Sequence, residues 1–219
     1  MDRLFELGPE FWVAAVETLY MVALTLLFGG IAGLLLGMVL YTTRPGSLLS
    51  NRVVFNVVNV VINFFRPIPF IIFIAAVQPL ARYVIGTGIG NDALVFALSI
   101  AASFAIARIV EQNLLTVTPG VIEAARAMGA GPIRILRTVV LPEALGPLIL
   151  GYTFVLVAII DMTAVAGFIG GGGLGTFAQV YGYRQFEPVI TWAAIILIVV
   201  FVQCVQFLGN WLARKVMRR

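Results

Sequence analysis

The chain has 219 residues, of which 61% are hydrophobic and 11% are charged, and its formal net charge is +4. Soluble globular domains contain about 45–50% apolar and about 25% charged residues, so this chain has too little polar surface to face water on all sides. The composition excludes an ordinary soluble domain. Because the apolar runs are continuous rather than alternating, it predicts an all-α integral membrane protein.

The residues that are missing exclude most kinds of active site. The chain has no histidine, one cysteine (Cys204) and one lysine (Lys215). A histidine general base, an internal disulfide and a cysteine-rich metal cluster are therefore excluded. A phosphate-binding P-loop needs a lysine after its glycines, and Lys215 has no such frame before it. We expect no catalytic residues, no metal site and no cofactor in this chain.

Five apolar segments are each long enough to cross a bilayer, which needs roughly 20 residues. They cover residues 11–41, 54–80, 93–115, 144–170 and 188–212. Five spans place the termini on opposite sides, and the positive-inside rule chooses the side. With a cytoplasmic C-terminus, nine basic residues lie on the inner side of the membrane and only Arg3, Arg82 and Arg184 lie on the outer side. We therefore predict one transmembrane domain over residues 1–219, oriented N-out and C-in. Because topology explains the basic residues, no nucleic-acid partner is expected.

Two segments contain glycines or prolines with a structural meaning. Gly29, Gly33 and Gly37 are four residues apart and so share one helix face, where another helix can approach closely. The second segment is interrupted by two prolines, Pro67 and Pro69, directly after Arg66. The interruption indicates either a kink whose arginine is paired structurally or a discontinuous helix that lines a translocation path.

Three charged residues lie within or at the end of other segments. Arg108 and Glu111 are spaced i,i+3, which favours a structural salt bridge. Asp161, next to Met162, lies near the middle of the fourth segment, where a carboxylate is costly. It either binds a cationic group of a solute or pairs with an arginine. Asp161 and Glu111 also leave open a proton- or ion-coupled secondary transporter.

The glycine run at residues 170–175 is not preceded by a strand, so it does not fit a nucleotide-binding loop. We expect a tight turn that leads into an external segment at 176–187.

The longest interruption of apolar sequence, residues 118–142, predicts two short cytoplasmic helices. Thr118 and Pro119 suit a helix start, and Gly129 suits a helix end. Pro132 then begins a second helix with an apolar face of Ile133, Leu136 and Val140, and Pro142 ends it. The alanines of the first helix bury too little area to hold a membrane surface. They favour a helix that seats in a groove of a soluble partner.

The loop contains Glu-Ala-Ala at 123–125, Gly129 after three intervening residues, and Val-Val-Leu-Pro at 139–142. This pattern resembles the signature of ATP-binding-cassette (ABC) importer permeases. Further stretches are similar to the D,L-methionine importer branch. They are YTTRPG at 41–46, FFRPIPFIIF at 64–73, RAMGAGPIRILRTVVLPEAL at 126–145 and GGGGLG at 170–175.

The resemblance implies a type I ABC importer permease in a bacterial inner membrane, with methionine or another small solute as cargo. It implies as partners a second copy of the chain, two copies of an ATPase that binds ATP and Mg²⁺, an external solute-binding protein and membrane lipid. The ATPase-docking residues implied are Glu123, Ala124, Ala125, Arg126, Met128 and Gly129. The candidates for the translocation path are Arg66, Pro67, Pro69, Asp161 and Met162.

Overall fold

The computed structural model describes residues 2–217, and this part of the chain consists of helices and connecting turns. Eleven α-helices follow one another in chain order. They are α1 Asp2–Glu6, α2 Gly8–Thr43, α3 Arg52–Phe65, α4 Phe70–Ile85, α5 Asn91–Leu114, α6 Pro119–Ala127, α7 Pro132–Ile135, α8 Leu141–Glu143, α9 Leu145–Ala166, α10 Gly173–Phe177 and α11 Pro188–Met217. Two π-helical stretches, Leu136–Val140 and Ala178–Tyr183, and one 3-10 turn, Gly167–Ile169, join some of them.

Four of these helices, α2, α5, α9 and α11, are long and apolar enough to cross a membrane. The pair α3 and α4 satisfies the same test together but is bent by 112°, so the number of spans is five when the bent pair counts as one. This agrees with the five predicted segments and confirms the all-helical membrane fold. The orientation of the termini stays a prediction.

The break between α3 and α4 lies at the predicted position. The N–H of Arg66 donates to the carbonyl of Ile62 at 3.0 Å and closes the last turn of α3. Pro67 and Pro69 have no N–H to continue the hydrogen-bond ladder, and Pro69 adopts an extended conformation (φ −56°, ψ 131°) just before α4. The chain therefore turns by 112° between two separate helices and does not form one kinked helix.

The three glycines of α2 pack against α5, as the sequence predicted. A Cβ atom built on Gly33 would lie 2.6 Å from Cβ of Ile106, and one on Gly37 would lie 2.5 Å from Cβ of Val110. Neither distance is compatible with a real side chain. The two helix backbones approach so closely because these positions have no side chain, and this contact is the centre of the fold.

The glycine run at 170–175 forms a turn that is held by α2 and α5. The backbone N–H of Gly172 donates to Oδ1 of Asn91 at 2.7 Å. Gly173 has a φ of +88°, which favours glycine, and it opens α10. The external position of the segment 176–187 stays a prediction, and the start of this segment is packed against the spans. Leu174 and Phe177 are buried in a cluster with Ala14 and other residues of α2 and α11.

Candidate functional site

The first helix of the 118–142 loop begins at the predicted residues, Thr118 and Pro119. Thr118 occupies the N-cap position with extended backbone angles, and Pro119 follows in the first turn. The Thr118 hydroxyl makes no capping hydrogen bond. Proline at the first helical position has no N–H to satisfy and a favourable φ, so α6 starts on backbone geometry alone.

Gly129 ends α6 in a Schellman motif. Its φ is +81°, and its N–H donates to the carbonyl of Arg126 at 2.9 Å. The N–H of Ala130 donates to the carbonyl of Ala125 at 3.1 Å, which completes the pair of hydrogen bonds that defines the motif. No heavy atom lies within 4 Å of a Cβ built on Gly129, so the requirement for glycine comes from backbone conformation.

The two faces of α6 differ sharply. Ala125 is 3% exposed and belongs to the same buried cluster as Leu114, Ile135 and Val140. It therefore packs inside its own chain, and the expectation that its side chain contacts a partner needs correction. The other predicted docking residues are all exposed on the surface; they are Glu123, Ala124, Arg126, Met128 and Gly129.

The second half of the loop is a continuous helical run instead of a helix that Pro142 ends. Residues 136–140 form a π-helical stretch in which the N–H of Leu141 bonds to the carbonyl of Leu136. Pro142 has no N–H and its ring crowds the preceding turn, so one wider turn accommodates it and the helix continues to Glu143. The prediction of a helix end at Pro142 was wrong for this reason.

The wider turn also changes which residues face inward. Ile135 and Val140 are buried, with 1% and 0% exposure, whereas Ile133 is 60% exposed. The predicted apolar face, which included Ile133, assumed α-helical spacing and was wrong at that position. Arg134 and Arg137 are both exposed.

A polar cavity of about 280 Å³ lies beside α6. Tyr41 and Arg44 from the end of α2 form one wall, and Glu123 and Arg126 from α6 form another. Charged groups of both signs therefore meet where the loop touches the ends of the spans. The exposed face of α6 and this cavity together form a surface on which a soluble partner has both shape and charge to recognise.

The candidates for the translocation path do not pair with one another. Arg66 and Asp161 are exposed, and the ion pairs among the described residues involve neither of them. Met162 is partly buried and packs in the cluster of α2, α4 and α5 that contains Ile74. Neither the predicted structural pairing of Arg66 nor that of Asp161 with an arginine is present in the described part of a single protomer.

Arg108 and Glu111 form the predicted salt bridge, with Nη1 and Oε2 2.5 Å apart. Sequence reasoning missed the rest of the cluster: Nη2 of Arg108 also donates to Oδ1 of Asn59 at 2.7 Å and to Oδ1 of Asn63 at 2.8 Å. The signal was the i,i+4 spacing of these asparagines in an apolar helix. Because Asn59 and Asn63 belong to α3 and Arg108 belongs to α5, these hydrogen bonds tie the two helices together. Glu111 in this cluster is only 2% exposed.

Comparison with known proteins agrees with this geometry. Residues 29–218 match the family described as "Binding-protein-dependent transport system inner membrane component". The chain is 38% identical to the probable D-methionine transport system permease protein MetI of Vibrio cholerae, over 98% of this chain and 96% of that protein. It is 40% identical to the methionine import system permease protein MetP of Bacillus subtilis, over 96% and 95% of the two chains.

Solved structures show the same fold. A chain of the MetNI methionine ABC transporter in an inward-facing conformation superimposes with a TM-score of 0.93 at 38% identity, over 96% of this chain and 98% of that one. A chain of an amino acid ABC transporter matches with a TM-score of 0.78 at 23% identity, which bears on the fold alone.

The family decides between the alternatives that the sequence left open. It confirms a transport subunit in the inner membrane rather than an enzyme, and it does not support an ion-coupled secondary transporter built on Asp161 and Glu111. Glu111 is in any case occupied by Arg108. The sequence, the fold and the 118–142 loop agree: the chain belongs to the family of binding-protein-dependent transport system inner membrane components.

Proposed function

We propose that this chain is the membrane-spanning subunit of an ATP-driven importer for methionine or a closely related amino acid. The observation that carries the proposal is the match to a chain of the MetNI methionine ABC transporter, with 38% identity and a TM-score of 0.93. The match covers 96% of this chain, so it includes the loop and the spans alike.

The complete importer has two copies of this chain, two copies of an ATPase and an external solute-binding protein. ATP and Mg²⁺ bind to the ATPase. The 118–142 loop and the basic C-terminus lie in the cytoplasm, in the predicted N-out, C-in orientation.

The exposed face of α6 docks on the ATPase. Met128 is 82% exposed at the end of this helix, beside Gly129, and an exposed apolar side chain at a helix tip suits insertion into a groove. Glu123 and Arg126 border the polar cavity and supply charges to the same contact. Ala124 leaves room for a close approach, while Ala125 holds the helix to its own chain.

Movement of α6 reaches the spans through packing. The buried cluster around Ala125 includes Leu114 at the end of α5 and Ala144 just before α9. Close-packed side chains transmit a displacement because there is little free volume to absorb it. ATP binding therefore shifts the conformation of the membrane-spanning helices only to the extent that the docked ATPase favours one position of α6 over another.

The face of α9 that carries Asp161 lines the translocation path. Asp161 and Phe154 are exposed on this face in a single protomer, and a carboxylate in mid-membrane is too costly to face lipid. In a path between two copies of the chain, the Asp161 carboxylate contacts water and solute instead of lipid. Met162 supports this turn of α9 from behind, and Arg66, Pro67 and Pro69 at the broken span form a second wall.

The test is uptake of radiolabelled methionine by proteoliposomes that contain this chain with its ATPase and binding protein. Gly129→Asp strains the end of α6, because a left-handed conformation costs most non-glycine residues about 1–2 kcal/mol. We expect lower uptake and weaker co-purification of the ATPase. The matched control is Gly131→Asp, since Gly131 has a φ of −71°, open space around it and an N-cap position that suits aspartate.

Equal uptake and equal ATPase recovery in the two variants would contradict the docking role. Uptake driven by a proton gradient without ATP would contradict the importer and favour a secondary transporter. ATP-dependent uptake of a different small solute, with none of methionine, would overturn the substrate while the importer class stands.

A further inference from the structure

We propose that an apolar groove between α2, α9 and α11 binds an anionic phospholipid. An acyl chain lies in the groove, and the phosphate contacts Arg137 and Lys215 at its mouth. The proposal concerns the lipid-facing side of the chain and is independent of the transported solute.

The groove is a cavity of about 600 Å³ with an almost entirely apolar lining. Leu34 of α2, Leu145 and Leu156 of α9, and Leu208 and Leu212 of α11 form its walls. Three of these leucines, at positions 145, 208 and 212, are more than a third exposed, so the groove is open to the surroundings. Its shape and lining fit a hydrocarbon chain.

The polar atoms in the wall already have partners. The Tyr152 hydroxyl donates to the carbonyl of Gly30 at 2.8 Å, and the Thr153 hydroxyl donates to the carbonyl of Ile149 at 2.8 Å. A polar solute would find no free hydroxyl donor on these two side chains. A hydrocarbon chain needs none.

The groove lies on the side of α9 away from the proposed path. With 3.6 residues per turn, Leu156 is separated from Phe154 and Asp161 by roughly 140–160° around the helix axis. Those two residues are exposed on the other face. A ligand in the groove therefore contacts the outer surface of the bundle and does not enter the route of the solute.

Two basic residues, Arg137 and Lys215, lie one helical turn beyond the groove lining. Lys215 continues the α11 stripe of Leu208 and Leu212 by one further turn, and Arg137 lies four residues before Leu141, which also lines the groove. Both basic side chains are exposed. The Lys215 ammonium lies 5.1 Å from the centre of the Trp211 ring, and tryptophan marks the interface between hydrocarbon and headgroups. Basic pockets between spans on this side of a membrane suit anionic headgroups.

A second protein copy fits the groove less well than a lipid does. A copy packed here around a two-fold axis would bring its own Arg137 and Lys215 to the same mouth, where like charges repel. The small-residue face that suits a close helix partner is already used, since Gly33 and Gly37 contact α5. The charge at the mouth therefore favours an anionic occupant.

The test measures phosphatidylglycerol and phosphatidylcholine binding to the full chain, purified with the subunits that accompany it, by native mass spectrometry after delipidation. The double variant Arg137→Gln with Lys215→Gln should bind phosphatidylglycerol about 30-fold more weakly, which is about 2 kcal/mol for two basic groups near an anionic lipid. The matched control is Arg134→Gln with Arg214→Gln, which removes the same number of positive charges at two exposed neighbours.

A second variant tests the acyl chain without changing charge. Leu208→Trp fills the groove at a side chain that is 55% exposed, so the fold tolerates it, and it should also weaken phosphatidylglycerol binding. Val200→Trp, at a side chain 48% exposed on the same helix and outside the groove lining, is its control.

Several outcomes would overturn the proposal. They are unchanged binding in the Arg137/Lys215 variant, an equal loss in the Arg134/Arg214 control, and equal affinity of the unaltered chain for the two lipids. Dissociation of the assembly by Leu208→Trp, without release of lipid, would show that protein covers the groove and would overturn it as well.

Discussion

The Glu17 carboxylate accepts a hydrogen bond from the backbone N–H of Gly173 at 2.7 Å. One residue further along α2, the Thr18 hydroxyl accepts from the N–H of Leu174 at 2.9 Å. Two side chains of the first span therefore satisfy the first free N–H groups of α10, which follows them by more than 150 residues. This contact fixes the glycine turn after the fourth span.

We predict that Glu17→Ala destabilises the chain by about 1.5–3 kcal/mol, the usual contribution of a hydrogen bond to a charged group. The measurement is thermal unfolding in detergent. Glu10→Ala, two turns earlier on α2 and exposed, is the control and should unfold like the unaltered chain. Equal melting of the two variants would show that the contact is dispensable.

Adding a methyl group at the α2–α5 contact should also destabilise the fold. Gly37→Ala forces a Cβ into the place of the Val110 side chain, and overpacking of this kind costs about 1–3 kcal/mol. Gly8→Ala, where nothing lies within 4 Å of the new Cβ, is the control. If the contact is tight as described, Val110→Ala should restore part of the loss in the double variant.

The cluster around Arg108 should tolerate the loss of one partner poorly. Arg108→Met leaves Glu111 buried without a counter-charge, and breaking a buried ion pair in this way costs about 3–5 kcal/mol. Combining Arg108→Met with Glu111→Leu removes both charges and should recover much of that stability. Unfolding of both variants, compared with the exposed Arg134→Ala, measures the difference. A double variant as unstable as Arg108→Met would argue against the ion pair as the cause.

Asp161→Asn should separate transport from stability. The side chain is exposed and outside the ion pairs of the described residues, so we expect an unchanged melting temperature. If Asp161 lines the path, the variant raises the KM of methionine uptake in proteoliposomes. Glu143→Gln, exposed at the start of the same helical run, serves as the control. An unchanged KM would remove Asp161 from the path.

Local patterns predicted local features well. The left-handed end of α6 at Gly129, the i,i+3 pair of Arg108 and Glu111 and the break at Pro67 and Pro69 each depend on a few neighbouring residues. Steric and hydrogen-bonding rules fix such features whatever surrounds them. The fold class followed from composition for a similar reason, because lipid imposes one requirement on every span.

Features that depend on distant residues were not predictable in this way. Nothing local indicates that Ala125 faces its own chain, since Ala124 has the same side chain and faces outward. The asparagine partners of Arg108 lie on another helix. The substitution of a π-helical stretch for an α-helix at residues 136–140 depends on how the helix accommodates Pro142 while Val140 stays buried.

That π-helical stretch has a consequence for how this region can change in evolution or in the laboratory. A π-helical turn amounts to one residue added to an α-helix, and one residue corresponds to about 100° of rotation. A single deletion between residues 136 and 140 would restore α-helical geometry and swing α6 around the axis, away from the face it now presents. The spacing between Gly129 and α9 is therefore as constrained as the residues themselves, and loops exchanged between relatives must keep the same length.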